Sequence, residues 1–187
     1  YRQFETLSSA LEAEGKTLVF AMNGGMYHED RQPVGYLRTG TGELASVNTN
    51  DGPGNFHMKP NGVFWIDGER AGISVSEDYI ASDIDPDYAT QSGPMLVIDG
   101  KIHPAINPDG TSRKRRNGVG VSADGRTVYF AISDSLVTFH EFASLFRDRL
   151  DAPDALFLDG QVSRIYAPAM SRNEAGMDMG PIVGVVE

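Results

Sequence analysis

Val119-Gly120-Val121-Ser122-Ala123-Asp124-Gly125-Arg126-Thr127-Val128-Tyr129-Phe130-Ala131-Ile132 reads as two strand-like runs on either side of an Asp-Gly pair. Asp-Gly between apolar runs is a strong short-range hairpin signal. The type I′ turn needs positive φ at both central positions, and these two residues tolerate it best. The signal recurs. Asp67-Gly68 separates Val63–Ile66 from Ala71–Val75, and Asp99-Gly100 follows Met95–Ile98. Three such signals predict an antiparallel core.

Working outward, Phe4, Leu7 and Leu11 recur at helical spacing, with Gly15 as a C-cap, and predict an amphipathic helix over residues 3–14. Thr17–Met22 is a short apolar strand ending at Asn23-Gly24-Gly25, and residues 34–38 read as another strand. Residues 46–61, with Gly52, Pro53, Gly54, Pro60 and Asn61, form a long irregular stretch of the kind more often functional or mobile than merely connecting. Phe139, Phe142, Leu145, Phe146 and Leu150 share one face of a helix predicted over residues 139–150, closed by Pro153. Apolar strands follow at residues 155–158 and Pro181–Val186. The pattern predicts an α+β fold: one domain over residues 1–187, mainly antiparallel or mixed sheet, with hairpins and a few packing helices.

The chain has 187 residues, 40% of them hydrophobic and 22% charged, which suits a globular fold with a real core. Its formal net charge of -10 argues against nucleic acid as a partner, since phosphate backbones need a basic face. Positive charge is nevertheless concentrated at Arg113-Lys114-Arg115-Arg116, so an anionic small-molecule or polymer substrate remains open. With no cysteine, disulfides, thiolate catalysis and Cys-ligated zinc are excluded. No run approaches the ~20 apolar residues of a membrane span. The chain begins at Tyr1 rather than Met, and removal of a signal peptide or longer N-terminal region is an expectation. Oligomeric state carries no signal.

Asp159 is the most pointed candidate for chemistry. The run Ala155-Leu156-Phe157-Leu158 delivers its carboxylate to a break at Gly160, followed at once by Gln161, Ser163 and Arg164. The hairpin Asp-Gly pairs lie between strand-like flanks as ordinary turns, whereas a carboxylate on a buried strand is costly unless used or paired. Four segments combine glycine with polar residues at the ends of apolar runs: Met22–Tyr27, Gln91–Leu96, Arg113–Gly120 and Leu158–Ser163. Glycine lets backbone N–H groups approach a ligand, successive N–H groups can form an anion nest, and an Arg cluster adds charge and fork geometry. Each segment could also be only a tight turn. His28, His57, His103 and His140 are scattered and make no zinc pattern; His57, in the long loop, is the best histidine candidate for a site. Asp83, Asp85 and Asp87 alternate as in a calcium loop but lack its glycine and terminal acid, and read as an exposed acidic loop. There is no G-x-S-x-G and no P-loop.

Taken in order, MNGGMY (22–27), GNFHMKPNGVF (54–64), QSGPMLVIDGKIHP (91–104), SRKRRNGVGV (112–121), FRDRL with ALFLDGxxSxxY (146–166) and GPIVGVVE (180–187) resemble the phosphodiester glycosidase family. Its animal member is the mannose 6-phosphate uncovering enzyme, and the pattern is most similar to small exported bacterial members. The resemblance runs from about Leu18 to the end. It implies a hydrolase that cleaves the glycosidic bond of an N-acetylglucosamine-type phosphodiester, releasing sugar and a phosphomonoester, and it implies export to the periplasm or beyond. It also implies site residues: Asp159, Asn23 and Arg116 as catalytic, and Gly24, Gly25, Gly93, Pro94, Asn117, Gly160 and Ser163, with His57 and Lys59 of the second motif, as substrate-binding. Gln161 and Val162 stand where the animal enzyme has glycines, and their side chains are expected to narrow the pocket.

Such a reaction needs a carboxyl group near the anomeric carbon, for which Asp159 is the choice. It needs charge to hold the phosphate, which suits Arg116 with the Gly24 and Gly25 amides. Asn23, Asn117 and Ser163 would orient sugar or water. Glu29, Asp30 and Asp51 are candidates for a second carboxylate. No cofactor is required by the sequence, and the metal ligands, if any, are unknown. Two alternatives stay open: a non-catalytic module binding anionic sugars or envelope polymers, and a phosphodiesterase whose carboxylates recruit a divalent ion.

Overall fold

The computed structural model describes residues 1–187. Helix α1 (Phe4–Ala13) leads into β1 (Leu18–Asn23), then β2 (Leu37–Thr39) and β3 (Gly42–Ala45). One 3₁₀ turn (Asn55–His57) interrupts the long loop before β4 (Gly62–Asp67), β5 (Arg70–Val75) and α2 (Ser76–Ile80). The chain continues through β6 (Tyr88–Ser92), β7 (Met95–Ile98), β8 (Lys101–Ile102), β9 (Asn117–Val121) and β10 (Val128–Ile132). Helix α3 (Phe139–Ser144) precedes β11 (Asp154–Asp159), β12 (Ile165–Ala167), β13 (Arg172–Asn173) and β14 (Ile182–Val186). No helix is long and apolar enough to cross a membrane.

The strands form three sheets, ordered β13–β12–β1–β14, β10–β9–β11–β7–β8 and β3–β2–β6–β4–β5. Every paired register is antiparallel, so the α+β reading holds and no mixed sheet occurs. The sheets share one core, in which Met22, Phe64, Ile73, Met95, Val119 and Leu156 pack together. Each sheet turns its other face to a helix, as the two-residue strand period requires. In β1, Met22 faces the shared core and Ala21 faces α1 with Phe4. In β4, Phe64 faces the shared core while Val63 meets Tyr79 of α2. In β11, Leu156 and Leu158 face the shared core while Ala155 and Phe157 meet α3. Gly118 and Gly120 of β9 leave the room that α3 and the turn after it need, since a Cβ there would come within 3.1 Å of Phe142 and 2.6 Å of Phe146.

All three predicted hairpins form. The I′ geometry is confined to Asp99 (φ 47°) and Gly100 (φ 73°); at the other two turns only Gly68 (54°) and Gly125 (69°) take positive φ. The strand expected at 34–38 starts instead at Leu37. Before it, the buried Gln91 side chain takes the place of a partner strand. Its Oε1 accepts from the Tyr36 and Asn48 amides (3.0 and 2.8 Å), and its Nε2 donates to Asn48 O and Ser76 Oγ (both 2.8 Å). The helix expected over 139–150 is α-helical only to Ser144; Leu145–Arg149 widens to a π turn, with Leu150 N–H donating to Leu145 O. Thr138 and Glu141 form a capping box at its start.

Candidate active site

Three strand ends meet on one side of the shared core. β11 ends at Asp159, β9 begins opposite it at Asn117, and β1 brings Asn23 from a different sheet. Asn23 joins them. Its Nδ2 donates to Asp159 Oδ2 (3.3 Å), its Oδ1 accepts the Arg164 amide (2.7 Å), and its carbonyl accepts from Asn117 Nδ2 (3.1 Å). The Ser163 hydroxyl sits among Asp159 O (3.0 Å), Asn117 Oδ1 (3.3 Å) and Arg115 O (3.3 Å). The other carboxylate oxygen of Asp159 accepts from the amides of Gln161 (2.6 Å) and Val162 (3.3 Å), so the turn that begins at Gly160 folds back onto the carboxylate.

Asp159 is 9% exposed, and burial pushes its carboxyl above the usual range. The amides of Gln161, Val162 and Gly160 and the charge of Arg164 act in the opposite direction. Burial is the larger effect, as expected for a carboxylate with no ion pair of its own.

Asp159 opens onto a cleft of about 960 Å³. Met26, Tyr27, Glu29 and Arg31 of the β1–β2 loop form part of its wall, together with Met177 and Asp178. Ser112, Lys114, Arg115 and Arg116 also line it, beside Leu136 and Phe139 from the entry to α3. Gly160, Gln161 and Val162 reach into it, and Gly54 and Asn55 come from the long loop. Arg116 is the distinctive cation here. It is 1% exposed, its Nε and Nη2 donate to Val137 O and Ser112 O (both 3.0 Å), and its guanidinium lies 3.7 Å from the centre of the Phe139 ring. Its charge is set against carbonyls and aromatic faces rather than a carboxylate, and burial lowers its pKa to about 10. A desolvated fork with no anion of its own suits a phosphate. Arg115, by contrast, is paired with Glu174 at 2.7 Å.

The remaining sequence-predicted residues fall into two groups. Asn23, Asn117, Gly160 and Ser163 surround Asp159, whereas the rest hold the scaffold. The Gly24 amide donates to Pro181 O (2.8 Å) and the Gly25 amide to Thr90 Oγ1 (3.1 Å), so neither is free to cradle an anion. These glycines serve close packing: a Cβ on Gly25 would stand 2.2 Å from Gln91 O. Gly93 and Pro94 lie buried at the β6–β7 corner, with Gly93 against Asn61 and Phe56 and Pro94 O accepting the Phe157 amide. His57 and Lys59 tie down the long loop through Asn50 O (2.9 Å) and Thr49 O (2.6 Å). Of the second-carboxylate candidates only Glu29 lines the cleft; Asp30 accepts the Gln32 amide and Asp51 pairs with Lys59 at 2.9 Å.

Sequence reasoning missed Tyr27, Arg31 and Asp178, and named Arg164 without giving it a role. Tyr27 closes the MNGGMY motif, and burial followed by the Asp159 charge pushes its phenol pKa up. Arg164 is buried beside Asp159, donating to Gln3 Oε1 (3.2 Å) and Met177 O. Only its place in the 155–166 stretch offered a signal.

The family model described as phosphodiester glycosidase matches residues 16–176. The uncharacterized protein YigE of Escherichia coli (strain K12) is 40% identical over 147 residues, which cover 78% of this chain and 57% of YigE. The fold is similar to the catalytic domain of zebrafish N-acetylglucosamine-1-phosphodiester alpha-N-acetylglucosaminidase, auto-inhibited by its pro-peptide. That likeness has a TM-score of 0.63 and 16% identity, over 95% of this chain and 61% of that one. A hypothetical protein from Synechocystis matches with a TM-score of 0.58 and 12% identity, over 96% of this chain and 53% of its own. At such identities the two solved structures bear on the fold alone. The family match spans most of the chain, including both strand ends that carry Asn23 and Asp159, and on it the chain belongs to the phosphodiester glycosidase family.

Proposed function

We propose that this protein hydrolyses the glycosidic bond of a glycosyl phosphodiester, of the N-acetylglucosamine type, to release free sugar and a phosphomonoester. The observation that carries the reading is one cleft holding both a buried, pinned carboxylate, Asp159, and a buried guanidinium, Arg116, with no carboxylate of its own. Arg116 takes a phosphate oxygen and offsets the charge that grows on the leaving phosphate as the bond breaks. Asp159, ionised, attacks the anomeric carbon or takes a proton from the water that does. Its Oδ1 is held by two amides and its Oδ2 by Asn23, which fixes the carboxylate against rotation. The phosphate is already a good leaving group, so the reaction makes little demand on a strong acid. Glu29 is the cleft carboxylate that supports a second role.

The test is product analysis on an N-acetylglucosamine 1-phosphodiester, wild type beside Asp159→Asn. Free sugar with phosphomonoester, from the wild type alone, is the expected outcome. Sugar phosphate with free alcohol would place the cut on the other side of the phosphate and defeat the glycosidase reading.

A further inference from the structure

Resting on that reading, we propose that Arg31 recognises a second anionic group on the substrate, beyond the scissile phosphate, so that the preferred substrate is a doubly charged glycosyl phosphodiester. The charge balance of the cleft motivates this. In a chain of net charge -10, the cleft lining carries Arg31, Lys114, Arg115 and Arg116 against Glu29, Asp159 and Asp178. Arg115 is occupied by Glu174, and Asp178 by Gln3 (2.8 Å) and Arg2 (3.6 Å). One phosphodiester charge answers Arg116, which leaves Arg31 and Lys114 facing the cleft without an ion pair. Lys114 is exposed and its ammonium is hydrated, so it contributes little to binding.

Arg31 differs from Lys114 in being half-buried and set against an aromatic ring. Its amide donates to His28 O (2.8 Å), and the His28 amide donates to Gln32 O (2.8 Å), closing a tight loop around it. Its φ is 74°, a left-handed conformation that arginine seldom adopts and glycine adopts freely. Its guanidinium lies 5.4 Å from the centre of the Tyr27 ring, and that ring packs against Gly180, where a Cβ would come within 2.4 Å of it. A left-handed backbone that sets a guanidinium without an ion pair at the cleft wall, against the Tyr27 ring, is a feature that stability alone would not favour. A cleft of about 960 Å³, near the upper end for small-molecule sites, has room for more than one glycosyl phosphate.

The second anion could belong to a repeating phosphodiester polymer or to a diphosphate-linked nucleotide. Three probes separate these: a methyl N-acetylglucosaminyl phosphate, the same diester with a second phosphate on a three-carbon alcohol, and a nucleoside diphosphate N-acetylglucosamine. For the wild type, kcat/KM on at least one doubly charged probe is expected to exceed the methyl diester by about tenfold, mostly through KM. Which probe shows it names the source. In Arg31→Gln the ratio should fall to near one. Arg31→Gly should lose the preference while its Tm holds or rises, because glycine relieves the left-handed backbone. A ratio near one in the wild type, or a preference that survives both substitutions, overturns the inference while leaving the hydrolase reading intact. If the wild type turns over none of the probes, the hydrolase reading fails, and Kd values for the same three ligands decide the role of Arg31 by the same ratio.

Discussion

Asp159 places a carboxyl group where the surroundings resist a charge, and the resistance sets its pH behaviour. Burial places its pKa above the ordinary carboxylate range near 4. If the ionised form acts, kcat/KM should rise with pH through one step above that range, measured on any turned-over phosphodiester. Asp159→Asn should lower kcat by roughly 10²–10⁴-fold. Its effect on stability should be small. A folded pKa raised above the unfolded one means stability is lost as pH rises through the folded value, and the substitution removes that loss at neutral pH. Against this, the new amide would face the Asn23 Nδ2 that now donates to Asp159. The two offset, and Tm is expected to stay within about 3 °C. His103 has the opposite linkage to pH. It is 1% exposed, its Nδ1 accepts the Ala105 amide (3.0 Å), and burial lowers its pKa. As pH falls below about 6.5 the unfolded chain takes up a proton that the buried imidazole refuses, so stability should decline. Denaturation midpoints at pH 7 and pH 5 check this, and His103→Gln should flatten the difference. Asp159 was legible because an apolar strand ending in a carboxylate is a conflict visible in the sequence. Arg31 was not, because neither its left-handed backbone nor its freedom from an ion pair is written locally.

The strands and turns show where sequence signals are ambiguous. The three Asp-Gly hairpins were legible because turn chemistry is local. The NGG triplet was also visible, but glycine permits both ligand approach and close backbone packing, and the packing partners Pro181, Thr90 and Gln91 lie far away in sequence. That difference is testable. Gly25→Ala forces a Cβ onto Gln91 O at 2.2 Å, so it should destabilise the protein by about 3 kcal/mol or prevent folding, rather than only weaken phosphate binding. Asn23 is the polar link between two sheets. Asn23→Ala leaves the Arg164 amide and an Asp159 oxygen without partners and should cost about 2 kcal/mol or more in urea unfolding. At α3, Thr138→Ala removes the capping box and should cost about 1 kcal/mol. The strand predicted at 34–38 failed to form in full because Gln91, a side chain from another strand, competes for its backbone.

Across the whole molecule, three sheets back onto one core, and strand ends from two of them, β1 and β9 with β11, converge beside one cleft. The fold class was readable from the Asp-Gly hairpin signals and the helical periods at either end of the chain, because both are local. The assembly of the site was only partly readable. Residues 23, 116, 117, 159 and 163 come together because β1, β9 and β11 meet, and no local pattern states which strand ends become neighbours across sheets. The resemblance supplied that information; composition did not. The measurement that bears most directly on the whole is the product pair released from an N-acetylglucosamine 1-phosphodiester by the wild type and by Asp159→Asn. Free N-acetylglucosamine with a phosphomonoester from the wild type, and none from the variant, is the expected result. Sugar phosphate with free alcohol, or full activity without the Asp159 carboxylate, would contradict it.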